Sequence, residues 1–176
     1  GGVGLAAVQL AKVMGAKVIA AASTAEKLAI CQHYGADAVV NYSEDNWREQ
    51  VKTLTDGKGV DVVYDAVGGD YAEPALRSMA WRGRYLVVGF AAGDIPKVPL
   101  NLALLKGCAI VGVFWGEFAV RQKQDNQANM MQLFAWLMQG QLKPHISKEY
   151  PLAQAAQALN DLMERKVTGK AVLVME

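Results

Sequence analysis

Apolar positions along this chain follow two rhythms, and the two alternate. Val3, Leu5, Ala6, Val8, Leu10, Ala11 and Val13 are broken only by Gln9 and Lys12, which predicts a helix buried against a sheet and ended at Gly15. Residues 17–22 (KVIAAA) form a short continuous apolar run, the pattern of a strand covered on both faces. Helical period returns over residues 24–34, with Ser23 or Thr24 as N-cap, Glu26 in the first turn and Gly35 as the stop. Further strands are predicted at residues 38–41, 61–67, 84–89 and 108–115, with helices at 44–54 (Ser43 as cap), 71–79 and 100–106. The last stretch reads as a long helix over 118–139, an interruption at Pro144, a helix over 153–165 and a strand at 171–175.

Strands alternating with helices of roughly 10–15 residues imply right-handed crossovers and a parallel sheet. The predicted fold class is α/β, a doubly wound Rossmann-type parallel sheet with helices on both faces. In such a fold a strand runs directly into the glycine turn and occupies the middle of the sheet. This sequence opens on Gly1-Gly2-Val3-Gly4, so that first strand is expected to lie outside it. Two units are expected: a dinucleotide-binding domain over residues 1–142 and a C-terminal return segment, helix plus strand, over 143–176.

Composition narrows the class. Of 176 residues, 52% are hydrophobic, which excludes a disordered chain. A formal net charge of +1 argues against a nucleic-acid partner, which would call for a basic stripe. No apolar run reaches the ~18 residues of a membrane span. Cys31 and Cys108 lie far apart with no ligand-spaced histidine, which argues against a disulfide framework or zinc knot and fits a reducing, cytoplasmic setting.

The glycines carry the first chemistry. Gly1, Gly2 and Gly4 lead straight into a helix, where glycine permits a tight positive-φ turn and close approach of a phosphate to backbone N–H groups. Gly4 is also expected to allow close helix–sheet packing. The same cluster would serve a generic strand-to-helix turn; the surrounding alternation favours the pyrophosphate of a dinucleotide. An NAD site usually carries Asp or Glu at the end of the next strand, about 20 residues on, for the ribose 2′-hydroxyl. Here that region is Ala20-Ala21-Ala22-Ser23-Thr24, with Lys27 following. The missing carboxylate favours NADP, although Ser23 and Thr24 also serve as caps.

These residues resemble the nucleotide-binding stretch of the medium-chain dehydrogenases/reductases, and within them the zinc-independent quinone oxidoreductase branch. The likeness runs in order through residues 1–12 (GGVGLAAVQLAK), 35–37 (GAD), 40–42 (VNY), 59–69 (GVDVVYDAVGG), 83–84, 88–90 (VGF), 106–107, 112–116 (GVFWG) and 168–173 (TGKAVL). It implies that Gly1, Gly2, Val3 and Gly4 line the pyrophosphate turn, and that Ser23, Lys27 and Tyr42 surround the 2′-phosphate. It implies that Val67, Gly68, Gly89 and Phe90 follow strands where the cofactor crosses, that Phe114 and Trp115 lie near the nicotinamide, and that Lys170 reaches the pyrophosphate. In the family an N-terminal GroES-like barrel supplies much of the substrate pocket, and the C-terminal segment packs back onto it.

The implied reaction is hydride transfer from NADPH to a quinone or another conjugated carbonyl. The alternatives are a nucleotide-binding module without turnover of its own and an enoyl-thioester reductase domain of a larger assembly. No catalytic residue and no metal ligand is assigned: His33 and His145 read as structural or solvated, Tyr64 as core, and Asp61 and Asp65 as capping and turn residues. The apolar run at 108–115 would be an edge strand and predicts a homodimer.

Overall fold

The computed structural model describes residues 1–175. Its elements in chain order are α1 (Gly2–Val13), β1 (Ile19–Ala22), α2 (Ala25–His33), β2 (Ala38–Asn41), α3 (Trp47–Leu54), β3 (Val60–Asp65), α4 (Ala72–Arg77) and β4 (Met79–Val87). Then come α5 (Asn101–Lys106), β5 (Ala109–Gly112), α6 (Trp115–Arg121), α7 (Lys123–Met138), β6 (Ile146–Pro151), α8 (Ala155–Met163) and β7 (Lys170–Val174). Every strand pair is parallel, as strand–helix alternation requires.

Local signals account for most boundaries. Thr24 Oγ1 accepts from the Lys27 amide at 3.3 Å and caps α2. Gly15 and Gly35 follow α1 and α2 with φ of +83° and +100°, a conformation that glycine adopts without a Cβ penalty. Ser43 caps no helix: its amide donates to Asn41 Oδ1 at 3.0 Å, and α3 starts later, at Trp47. Lys12 Nζ meets Asp37 Oδ1 at 2.8 Å while Asp37 Oδ2 accepts from Val18 N at 2.6 Å, tying α1 to the entries of β1 and β2. The Lys12 hydrogen bond, aided by that amide, holds the Asp37 carboxyl below its usual range.

The sheet is not continuous. Its strands fall into three groups, β1-β2, β3-β4-β5 and β6-β7. The break between β1 and β3 lies where the sequence pattern placed a central strand. A cleft of about 380 Å³ occupies it, lined by α1, by Ile19–Ala22 of β1 and by residues 60 and 62–65 of β3. This changes two expectations. Helix α1 buries only the stripe Leu5, Val8 and Gln9, leaving Val3 53% exposed. Tyr64, expected in the core, lines the cleft and is 43% exposed. The main core is instead Ala72, Leu76, Met79, Tyr85 and Leu102, from α4, β4 and α5.

Three more elements depart from the pattern. The strand expected over 108–115 is paired only from Ala109 to Gly112. The helix expected over 118–139 starts earlier and is two helices, α6 and α7, meeting at Gln122, whose backbone (φ −117°, ψ 58°) is not helical. The C-terminal segment contains an additional strand, β6, paired with β7. Tyr150 anchors it: its hydroxyl donates to Asp161 Oδ2 of α8 at 2.6 Å, and Asp161 also accepts from Gln157 at 2.8 Å and Lys148 at 3.2 Å. Those donors, Tyr150 foremost, hold the Asp161 carboxyl down at about 2.

Candidate functional site

The carboxyl ends of β1, β2 and β3 and the N-terminus of α1 line the cleft. This is where doubly wound folds place ligands. The first i→i−4 bond of α1 is Leu5 N to Gly1 O at 3.0 Å, so the amides of Gly2, Val3 and Gly4 precede the helix's internal ladder. Gly2 and Gly4 are helical, not positive-φ as the turn reading expected. Their smallness has other uses. Nothing lies within 4 Å of where a Cβ would stand at Gly1 or Gly4. Gly4 therefore leaves room above the cleft. At Gly2 a Cβ would stand 3.0 Å from Gly169 O and 3.3 Å from Lys170 Nζ. The C-terminal segment thus brings the Lys170 ammonium to the start of α1.

Strand β1 ends on buried Ala22 with no carboxylate following. Gly1, Gly4, Ala22, Lys27, Tyr42 and Val67 all line the cleft. The Tyr42 ring packs on Tyr71 with centroids 4.5 Å apart. Ser23 stands beside them, its carbonyl accepting from Ser43 Oγ at 3.4 Å, but it does not line the cleft. Val3 does not line the cleft either.

The loops after β3 and β4 are joined. Asp65 Oδ1 accepts from Val67 N at 2.8 Å and Gly68 N at 3.0 Å, the capping role read from its position, and Oδ2 accepts from the Tyr85 hydroxyl. Gly68 has φ +67°, and a Cβ on it would lie 2.8 Å from Phe90 Cδ1. Gly89 donates to the Asp65 carbonyl at 3.3 Å. Phe114 and Trp115 are not part of this cluster. The strand before them stops at Gly112, and they are 73% and 65% exposed at the start of α6.

Sequence reasoning passed over Asp65 as a site residue, although an acid three positions before a glycine pair is a visible turn signal. Tyr71, Trp47 and Thr168 also line the cleft and were not singled out. Cys31 faces it too, and burial pushes its thiol up, away from reactivity. His145 Nδ1 and the Tyr34 hydroxyl are 3.2 Å apart, a packing contact between α2 and the C-terminal segment. Among the described residues no group of three or more His, Cys, Asp or Glu could hold a metal.

A family model described as zinc-binding dehydrogenase matches residues 2–136. The quinone oxidoreductase-like protein 2 homolog of Nematostella vectensis is 42% identical over 175 residues, 98% of this chain and 48% of that protein. The quinone oxidoreductase of Pseudomonas aeruginosa is 37% identical over 175 residues, 99% of this chain and 54% of that one. Among solved structures, Escherichia coli quinone oxidoreductase complexed with NADPH superposes with a TM-score of 0.86 at 34% identity, covering 99% of this chain and 54% of that one. The chain thus spans about half the length of the relatives it matches. The family's name carries a metal, and the described residues offer no ligand set for one. A match across most of the chain, covering the glycine turn and the strand-end loops, places it in the zinc-binding dehydrogenase family.

Proposed function

We propose that this chain is the cofactor-holding part of an oxidoreductase that transfers hydride from NADPH to a quinone or another conjugated carbonyl. One observation carries the cofactor choice: β1 ends on Ala22 without a carboxylate, while Lys27 and Tyr42 line the same cleft as Gly1 and Gly4. The residues present fit the dinucleotide, since the space beside Gly1 and Gly4 is open and Lys27 lines the same cleft, while the Lys170 ammonium stands at Gly2 in an adjoining hollow. NADPH, when bound, supplies the hydride.

In this reading the free amides of α1 and the Lys170 ammonium hold the pyrophosphate. Lys27 and the hydroxyls of Ser23 and Tyr42 receive the 2′-phosphate. Val67, Gly89 and Phe90 form the wall along which the rest of the cofactor lies. Residues 1–142 hold the cofactor. Residues 143–176 return onto a further domain that supplies the substrate pocket, a reading supported by the relatives' roughly doubled length.

Titration with NADPH and NADH, read by tryptophan fluorescence, tests the proposal. NADPH is expected to bind at least about tenfold more tightly, the worth of one or two charge-assisted contacts. Equal affinities would overturn it.

A homodimer is also proposed. β5 is the edge of its sheet, all four of its residues are exposed, and exposed apolar Phe114 and Trp115 follow it at the start of α6. Size-exclusion with light scattering is expected to give two chains per particle. A monomer at micromolar concentration would sink the idea.

A further inference from the structure

One carboxylate organises both loops at the carboxyl end of the β3–β4 pair. Asp65 binds Val67 N and Gly68 N through Oδ1 and the Tyr85 hydroxyl through Oδ2. Its carbonyl accepts from Val88 N at 2.9 Å and Gly89 N at 3.3 Å. Ala91 and Ala92 then donate to the carbonyls of Ala66 and Val67 at 3.1 and 2.9 Å, and Phe90 closes over Gly68. Residues 66–69 and 88–92 are therefore tied together at Asp65.

This arrangement has two chemical consequences. The amides of Val67 and Gly68 are taken by the carboxylate, so the loop has neither of them to offer a phosphate. The carboxylate's partners are N–H and O–H groups only; among the described residues no Lys, Arg or His ion-pairs with Asp65. The loop thus combines a negative charge with apolar Val67 and Phe90. That combination repels phosphate and attracts a flat ring, more strongly a cationic one.

We infer that Asp65 is a positioning residue that assigns this end of the cleft to the nicotinamide half of the cofactor and favours its oxidised, positively charged ring over the neutral reduced ring. The inference rests on the NADPH reading. Its physical basis is a difference: the two cofactor forms carry the same phosphates, so the ratio of their affinities isolates the ring's charge.

The test is titration of this chain and its D65N variant with NADP⁺ and NADPH. Asn keeps the shape, its carbonyl accepting the two loop amides and its NH₂ facing the Tyr85 oxygen, and removes only the charge. D65N is expected to weaken NADP⁺ about fivefold and NADPH less than about twofold, the scale of one unit charge at several ångströms in a partly solvated site. Equal weakening of both forms would make Asp65 purely structural and overturn the inference. Should D65N fail to fold, salt decides with the unaltered chain. The NADP⁺/NADPH affinity ratio is expected to fall as ionic strength rises from about 0.01 M to about 1 M, as the Debye length shrinks. A ratio that ignores salt while both forms bind overturns the role of Asp65 alone. Binding of neither form overturns the cofactor reading and this inference with it.

Discussion

Supplying a six-residue apolar strand ahead of Gly1 is expected to raise the melting temperature of this chain by about 10 °C. β1 pairs only with β2 and β3 only with β4, and their other edges line the same cleft of about 380 Å³. Helix α1 lines it as well, with Leu5 and Val8 among the lining side chains. A parallel strand laid there would satisfy both edges and would be covered on its faces, the environment in which parallel strands read as unbroken apolar runs. Burying an apolar side chain contributes about 1.5–3 kcal/mol, and ordering each residue costs about 1–2 kcal/mol of backbone entropy. Hydrogen bonds to two edges add about 1 kcal/mol each. With side-chain entropy lost as well, the net over six residues falls at the low end of these ranges, about 3 kcal/mol, and each kcal/mol moves the midpoint by about 2–4 °C in a chain of this size. Calorimetry of the Val/Ile-rich extension against a Gly/Ser-rich extension of equal length separates strand insertion from mere lengthening. If the two melt together, the cleft is not a strand site.

The same cleft explains which parts of the fold the sequence disclosed. Residues 17–22 and 61–67 read as strands because parallel strands carry apolar side chains on both faces, and that pattern holds even though one edge of β1 and one of β3 face the cleft. Strand β6 escaped for the opposite reason. Its sequence ISKEYP buries only Tyr150, so no run or alternation stands out, and what makes it a strand is pairing with β7 and the Tyr150–Asp161 bond. The break at Gln122 was hidden because no Gly or Pro marks it: residues 121–127 (RQKQDNQ) are all polar and all compatible with a helix. At residues 113–115 hydrophobicity misled: Phe114 and Trp115 are apolar yet exposed, and β5 had already stopped pairing at Gly112.

The candidate site divides along similar lines. Gly1, Gly4, Lys27 and Tyr42 could be assembled from sequence because consecutive βα units deliver their strand ends to one side. Lys170 beside Gly2 joins the two ends of the chain, and only the return segment's packing places it there. Asp65 was visible as a turn residue, but its hold on Tyr85 depends on the register that pairs Asp65 with Val87 and Val63 with Tyr85. Once β3 and β4 are aligned so, the Tyr85 hydroxyl has a carboxylate in reach. Burial, the bond to Asp65 and that residue's charge all push its acidity down, so the phenol stays a donor.

Replacing Ala22 by Asp is expected to lower NADPH affinity about a hundredfold and to leave NADH as tightly bound or tighter. Ala22 is the last residue of β1, is 9% exposed and lines the cleft with Lys27 and Tyr42. In dinucleotide folds an acid at this point accepts from the ribose 2′-hydroxyl, and the same acid repels a 2′-phosphate. Two like charges about 4 Å apart cost roughly 1 kcal/mol in water and 4 kcal/mol in a half-buried setting, so the penalty spans roughly five- to a thousandfold. Lys27 then becomes the partner of the new carboxylate instead of the phosphate, which sharpens the loss. The measurement is the pair of dissociation constants for each cofactor, with a melting curve to verify that A22D folds. A uniform loss for both cofactors would mean that Asp merely disrupts the end of β1. An NADPH affinity unmoved by the charge would place the 2′-phosphate elsewhere, away from Ser23, Lys27 and Tyr42.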